Sequence, residues 1–202
     1  MGAGGEPSGR IKGAAVRQIL LWMQEHEPAG RMQRLARSLE TDGERIHREL
    51  PALGILSSRW YPASMFHGFC DEIVRDLGRE GARRLAREGG TEALERSFTL
   101  VHRMLLRRVA SPKLHRALAP RLWGAHFDTG RVEVELLEPG RSIVRYTDWT
   151  SHHPFICDLC TFSDLIIYGA MGLDGVEVAQ LTCVDEGDAD CAHSVTWATA
   201  PS

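Results

Sequence analysis

The spacing of apolar residues changes once along this chain, close to Gly124. Before that point, apolar residues recur every three or four positions, which is the period of a helix with one buried face; residues 91–109 show it clearly. After that point, residues 131–136 alternate between apolar and charged side chains, as a half-buried strand does. The sequence therefore predicts an α+β fold, with a helical part at about residues 11–125 and a sheet part at about residues 126–199.

The sheet part holds a regular order of predicted elements. Two hairpins, the first closed by a Pro139-Gly140 turn, flank one apolar helix. This order predicts a four-stranded, mostly antiparallel sheet (ββαββ) on which the helical half packs, in one domain at residues 11–199 after a flexible leader at residues 1–10. The predicted strands are residues 131–136, 142–147, 176–184 and 191–197, and the predicted helix is residues 154–172.

The composition argues against several classes of function. A formal net charge of -3 provides no basic surface for nucleic acid. No apolar run is long enough to span a membrane, and the first residues lack the apolar core of a secretory signal. Five cysteines in such a chain are expected to be reduced thiols or metal thiolates in the cytoplasm. Because no motif for phosphate binding, hydrolysis or metalloprotease chemistry is present, we expect a non-enzymatic protein.

Four of the five cysteines lie in the C-terminal half. Cys157 and Cys160 form a C-x-x-C at the start of the predicted helix, and Cys183 and Cys191 bracket the turn of the second hairpin. Four thiolates in a tetrahedron make a structural zinc site with no position left for water. The sequence therefore predicts zinc at these four cysteines, although a buried cysteine also packs simply as a small apolar side chain. Further candidate ligands are His152, His153 and His193.

The stretch 154–195 resembles the vinyl-reductase-type (4VR) small-molecule-binding domain, which is also the sensory domain of aromatic-responsive sigma-54 activators. The resemblance rests on a Pro-x-x-Cys helix start, a helix end of small residues and a Cys-x7-Cys hairpin with a Gly-Asp turn. It implies zinc held by three cysteines and one glutamate. Cys157, Cys183 and Cys191 match the three thiols, while Gln180 stands at the glutamate position. The alternatives for the fourth ligand are Cys160, Glu177, Gln180 and a histidine.

The same superfamily includes haem-NO-binding domains and subunits of vesicle transport particles. The opening Ile11-Lys12-Gly13, followed by a helix, is similar to the start of haem-NO-binding domains. A haem would need a proximal histidine, for which His102 and His115 are the candidates. That family's Tyr-x-Ser-x-Arg motif is absent, so haem is not the expected cofactor. The chain also resembles an uncharacterised paralogous family from myxobacteria.

Several aromatic residues lie near the transition from helices to sheet. A small apolar or aromatic ligand needs such walls with one or two polar anchors. In the 4VR sensors a histidine and a tryptophan anchor the ligand's hydroxyl, and the resemblance implies a similar pair here. The alternative is that these aromatic residues form part of the core. The predicted ligand-binding residues are His102, Trp123, His126, Trp149 and Tyr168.

We therefore expect a cytoplasmic small-molecule sensor that forms a homodimer and acts through a partner protein, with neither nucleic acid nor membrane as a partner. Its mechanism would be a ligand-driven shift between two packings of helices on sheet. The alternative is a scaffold or dimerisation protein with a collapsed pocket, and the third hypothesis is a haem-based gas sensor. A sensor needs an open pocket, whereas a scaffold needs a filled pocket and an exposed apolar patch.

Overall fold

The structure is a computed structural model that describes residues 9–40, 46–97, 110–138 and 140–199. Helices dominate the first half of the chain and strands the second half, so the predicted α+β class is confirmed. In chain order the elements are β1 (Arg10–Lys12), α1 (Gly13–His26), α2 (Ala29–Ser38), a 3₁₀ turn (Pro51–Gly54), β2 (Trp60–Pro62), α3 (Ala63–Ser97), α4 (Pro112–Gly124), β3 (Arg131–Glu138), β4 (Arg141–Thr147), α5 (Pro154–Ala170), β5 (Glu177–Thr182), a second 3₁₀ turn (Val184–Glu186) and β6 (Cys191–Thr196).

The main sheet has the strand order β3-β4-β6-β5, and every neighbouring pair is antiparallel. The period of two seen in the sequence appears as a buried face: Val132, Val134, Val144 and Tyr146 are all nearly inaccessible to solvent. The predicted four-stranded ββαββ sheet is therefore confirmed. This apolar face forms one side of the core between the sheet and the helices.

Two proline-initiated helices position the residues that matter for function. In α4, Pro112 occupies the first turn and the Ser111 hydroxyl accepts a hydrogen bond from the Leu114 N–H at 3.2 Å. In α5, Pro154 has the same role and His153 Nδ1 accepts from the Phe155 N–H at 3.1 Å. These caps fix where each helix begins and therefore which side chains it turns inward.

Helix α5 also contacts α3 through a buried ion pair. The Asp158 side chain is only 2% exposed, and the Arg79 guanidinium bonds to its carboxylate. Arg83 lies 4.0 Å from the second carboxylate oxygen. Because an unpaired buried carboxylate is costly, this contact holds the two helices in one register.

Local details of the helical half differ from the sequence expectation. Helix α3 is broken at Gly78, which adopts φ 70 and ψ 168. The antiparallel pair β1–β2 was not predicted, because strands of three residues carry no readable alternation. Part of the predicted helix 91–109, namely residues 98–109, and most of the predicted leader lie outside the described residues. Among the described helices, none is long and apolar enough to cross a membrane.

Candidate functional site

A cavity of about 470 Å³ lies between the helices and the buried face of the sheet. Its volume falls in the range of pockets that hold small organic ligands. Small residues create the space, because Ala15 of α1, Gly90 and Ala93 of α3, and Ala119 of α4 all face it with little or no side chain. The cavity is therefore a product of three helices whose small residues meet at one place.

An aromatic cluster forms the wall next to the sheet. Trp123 stacks on Phe127 with ring centroids 4.3 Å apart and lies 4.9 Å from the ring of Tyr146. All three residues line the cavity. The Trp123 indole N–H donates to the Thr129 carbonyl at 2.9 Å, so its polar atom is satisfied and its ring is free to present an apolar surface. This wall suits the flat face of an aromatic ligand.

His115 lies on the same cavity, one helical turn before Ala119 on α4. Its Nδ1 is 3.3 Å from the Tyr168 hydroxyl, which in turn lies 2.9 Å from Ser142 Oγ. Among the described residues no partner bonds to its Nε2. Burial lowers the pKa of His115, so the ring is neutral near pH 7. A neutral histidine with one free nitrogen can bind a ligand's donor group or a metal.

A buried acid–base pair forms a second polar position on the cavity wall. Asp164 lines the cavity but is only 3% exposed to solvent. His193 of β6 is 1% exposed, and its Nε2 lies 2.8 Å from Asp164 Oδ2. The Thr161 hydroxyl is 3.5 Å from the other nitrogen of His193. A carboxylate in such an apolar setting needs partners to remain buried.

A separate cluster of three thiols and one imidazole lies where α5 begins. The ligand atoms of His152, Cys157, Cys183 and Cys191 all lie within 4.8 Å of one another. The sulfurs of Cys183 and Cys191 are 3.9 Å apart, and His152 Nε2 is 4.0 Å from the Cys183 sulfur. The three cysteines are buried. Four such atoms at this spacing are able to share one metal ion.

Hydrogen bonds within this cluster divide its protons unevenly. Hydrogen bonding with Cys157 lowers the pKa of Cys183 and of Cys191, against the opposing effect of burial, and the same contacts raise the pKa of Cys157. Burial lowers the pKa of His152, but its contacts with Cys191 and Cys183 outweigh burial and raise that pKa overall. The cluster therefore favours thiolates at Cys183 and Cys191, the two cysteines of the hairpin, while the Cys157 thiol stays protonated.

The remaining predicted metal ligands lie elsewhere. Cys160 lines the cavity and is not part of the thiol cluster, and burial raises the pKa of its thiol. Gln180 accepts a hydrogen bond from Arg83 at 2.9 Å, and Glu177 is exposed at the start of β5. His152 thus occupies the fourth place that the sequence left open, and the structure does not bring the four predicted cysteines together.

The structure also locates most of the predicted ligand-binding residues. Trp123 and His126 line the cavity. Trp149 packs edge-on against Trp123 at 4.8 Å, and Tyr168 is bonded to His115, so both contact residues of the cavity wall. His102 lies outside the described residues. Sequence reasoning missed Asp164, although a charged residue on the apolar face of a predicted helix was a readable signal.

Comparison with known proteins identifies the fold. No protein-family model matches the chain, and no curated protein matches it. An H-NOX protein from S. oneidensis in the Fe(II)NO ligation state is similar, with a TM-score of 0.60 and 10% identity over 94% of this chain and 100% of that chain. An oxygen-binding H-NOX domain related to soluble guanylate cyclases has a TM-score of 0.59 and 8% identity, over 94% and 96% of the two chains. An H-NOX structure that probes haem distortion gives the same values.

These likenesses show that the chain has the haem-NO-binding fold. The resemblance to that superfamily is confirmed at the level of the fold, and nothing in the comparisons supports the 4VR domain or the myxobacterial family in particular.

The cofactor prediction is corrected by the same findings. The sequence predicted structural zinc and no haem. The similar structures are instead an H-NOX protein in the Fe(II)NO state, an H-NOX domain in complex with oxygen and an H-NOX protein studied for haem distortion. The prediction was wrong because the cysteine spacing is visible in the sequence, while the position of His115 beside a cavity depends on contacts among distant elements.

Proposed function

We propose that this chain is a non-enzymatic sensor whose small-molecule ligand occupies the cavity. The observation that carries the proposal is the cavity itself: about 470 Å³ of open space, with an aromatic wall and two polar positions, at His115 and Asp164. A scaffold with a collapsed pocket would have filled this space with side chains. The H-NOX neighbours supply only the fold, and the proposal rests on the geometry of this chain.

The position of the cavity suggests how a ligand could be sensed. Its lining comes from α1, α3, α4 and α5 and from strands β3 and β4. A ligand that contacts several of these elements stabilises the packing in which they fit around it, and so shifts the population toward that packing. We propose that the change is read by a second copy of the chain or by a partner protein.

A titration tests this proposal. Naphthol is a suitable probe because it is aromatic, apolar and carries one hydroxyl. We expect calorimetry to detect binding to the wild-type chain, loss of binding in Ala119→Leu, which fills the cavity, and normal binding in Ala117→Leu, whose side chain is exposed on the same helix. Equal binding to wild type and Ala119→Leu would place the ligand elsewhere and overturn the proposal.

A haem-based gas sensor is the second candidate, and His115 is the observation that favours it. No described residue bonds to its Nε2, and its Nδ1 lies 3.3 Å from the Tyr168 hydroxyl, so Nε2 would be the atom that holds the iron of a haem. The donor set therefore fits the iron end of a haem. Among the described residues of the cavity wall there is no arginine or lysine, so the two carboxylates of a haem would need partners outside that set. A bound haem would supply an iron atom that binds diatomic gases.

Absorbance spectroscopy separates the two candidates. If haem is the ligand, hemin added to the purified chain should produce a Soret band that persists after gel filtration. His115→Ala should lose or shift that band, whereas His126→Ala, which lies on the same cavity and whose Nδ1 is bonded to the Leu122 carbonyl at 2.8 Å, should retain it. A spectrum that is identical in wild type and His115→Ala would exclude His115 as the axial ligand.

A further inference from the structure

Asp164 is a buried carboxylate on a wall that is otherwise mostly apolar. Only 3% of the residue is exposed, yet it borders the cavity. Burying an ionised carboxylate is expensive unless hydrogen bonds and charges offset the loss of water. The structure gives Asp164 one hydrogen-bond partner among the described residues, His193 Nε2 at 2.8 Å from Oδ2. Its other oxygen, Oδ1, is thus available to a molecule in the cavity.

The neighbours of Asp164 provide little other compensation. No arginine or lysine borders the cavity within the described part of the chain. Burial and, second to it, the Asp164 carboxylate raise the pKa of Cys160 and of Tyr146, so both groups stay protonated and neutral. Burial lowers the pKa of His115, although the charge of Asp164 raises it, so this histidine adds no full positive charge near pH 7. Among the described residues, none donates a hydrogen bond to Oδ1 of Asp164.

The aromatic wall lies next to this carboxylate. The ring of His193, which holds Asp164, is 5.8 Å from the ring of Tyr146, and Tyr146 is in contact with Trp123 at 4.9 Å. A flat molecule stacked on this wall would therefore have its edge near Asp164. This arrangement combines an apolar surface for a ring with a single strong acceptor for one polar substituent.

We propose that Asp164 determines ligand specificity, and that the cavity selects an aromatic molecule with one hydrogen-bond donor, a hydroxyl or an amine. The inference rests on the proposed function, because it concerns the ligand of the same cavity. A site built to bond a donor rejects an analogue that lacks it, since the buried acceptor would lose its water without gaining a partner. Asp164 thus lowers the affinity of the cavity for purely apolar molecules of the same shape.

The test compares two ligands of the same shape on the 202-residue chain, freed of haem as judged by absorbance. Naphthol and methylnaphthalene differ by a hydroxyl in place of a methyl group. We expect wild type to bind naphthol at least about tenfold more tightly, the effect of one hydrogen bond to a charged acceptor. Asp164→Asn keeps the shape and an oxygen for His193 but lowers the charge, and should reduce that preference to about threefold or less. Asp174→Asn makes the same change at an exposed site and should leave the preference unchanged.

The outcomes separate the two levels of the proposal. Equal affinity of wild type for naphthol and methylnaphthalene would overturn the role of Asp164, while the proposed function would stand. If neither ligand binds wild type, and the calorimetric signal of Ala119→Leu is the same as that of wild type, the proposed function itself would be overturned. If Asp164→Asn does not fold, His115→Ala decides: it leaves Asp164 in place and should keep the preference for naphthol, and loss of the preference in His115→Ala would assign the contact to His115 and overturn the role of Asp164. Naphthylmethylamine should bind at least as tightly as naphthol, and affinity no higher than that of methylnaphthalene would overturn the selection of amines.

Discussion

The substitution Ala119→Leu should stabilise this protein if the cavity is present in solution. Ala119 is 4% exposed on α4, and its side chain faces the cavity. Leucine adds three carbon atoms that can occupy the empty space without displacing neighbours. In an ordinary packed core the same change would force side chains apart and destabilise the fold by about 1–3 kcal/mol. The sign of the effect therefore reports whether the space is empty.

The magnitude follows from the added apolar atoms. Burial of about 0.8 kcal/mol for each carbon gives about 2.4 kcal/mol, from which about 0.5–1 kcal/mol is lost by fixing the leucine side chain. The free energy of unfolding should rise by about 1–2 kcal/mol. For a chain of this size, that corresponds to an increase in Tm of about 2–8 °C. Alanine and leucine have similar helix propensities, so the helix itself contributes little.

Chemical and thermal unfolding measure this difference. Ala117→Leu is the matched control, because it makes the same change at an exposed position of α4 and should leave the free energy of unfolding nearly unchanged. A loss of stability in Ala119→Leu, with no change in the control, would show that the space is already filled and would refute the reasoning about the cavity.

Other consequences can be measured in the same way. Arg79→Ala should lower the free energy of unfolding by about 2–3 kcal/mol because it leaves the Asp158 carboxylate buried without its closest partner, and Asp158→Asn in the same chain should recover part of that loss. Because burial lowers the pKa of His115 below 6.5, the unfolded chain takes up more protons in acid; wild type should lose stability as the pH falls below about 6.5, and His115→Gln should lose less. Gly78→Ala should cost about 1–3 kcal/mol at φ 70, whereas Gly30→Ala in α2 should be neutral or stabilising. Denaturant titrations of each pair decide these points.

The sheet half of the fold could be predicted because its signals are local. Most of β3 and the second half of β4 alternate between apolar and polar residues, the two strands are separated by two residues in the sequence, and α5 begins at a proline. The pairing of β1 with β2 joins residues about fifty positions apart in short segments, and no local pattern marks it. Periodicity identifies elements, but it does not show which distant elements meet.

The candidate site was only partly readable for the same reason. The hairpin spacing correctly indicated that Cys183 and Cys191 approach each other, which they do at 3.9 Å. The choice between His152 and Cys160 depends on how α5 is rotated against its neighbours, which the sequence does not show. The cavity depends on small residues of three helices facing one another, and an alanine in a sequence does not indicate empty space.

Intermolecular NMR contacts would test the central claim, that the cavity is the ligand site, most directly. Alanine and isoleucine methyl groups can be labelled in the 202-residue chain and naphthol added. We expect nuclear Overhauser effects from the ligand to the methyl groups of Ala93, Ala119 and Ile156, which line the cavity. Contacts confined to exposed methyl groups such as that of Ala117, with none to the cavity methyl groups, would contradict the account.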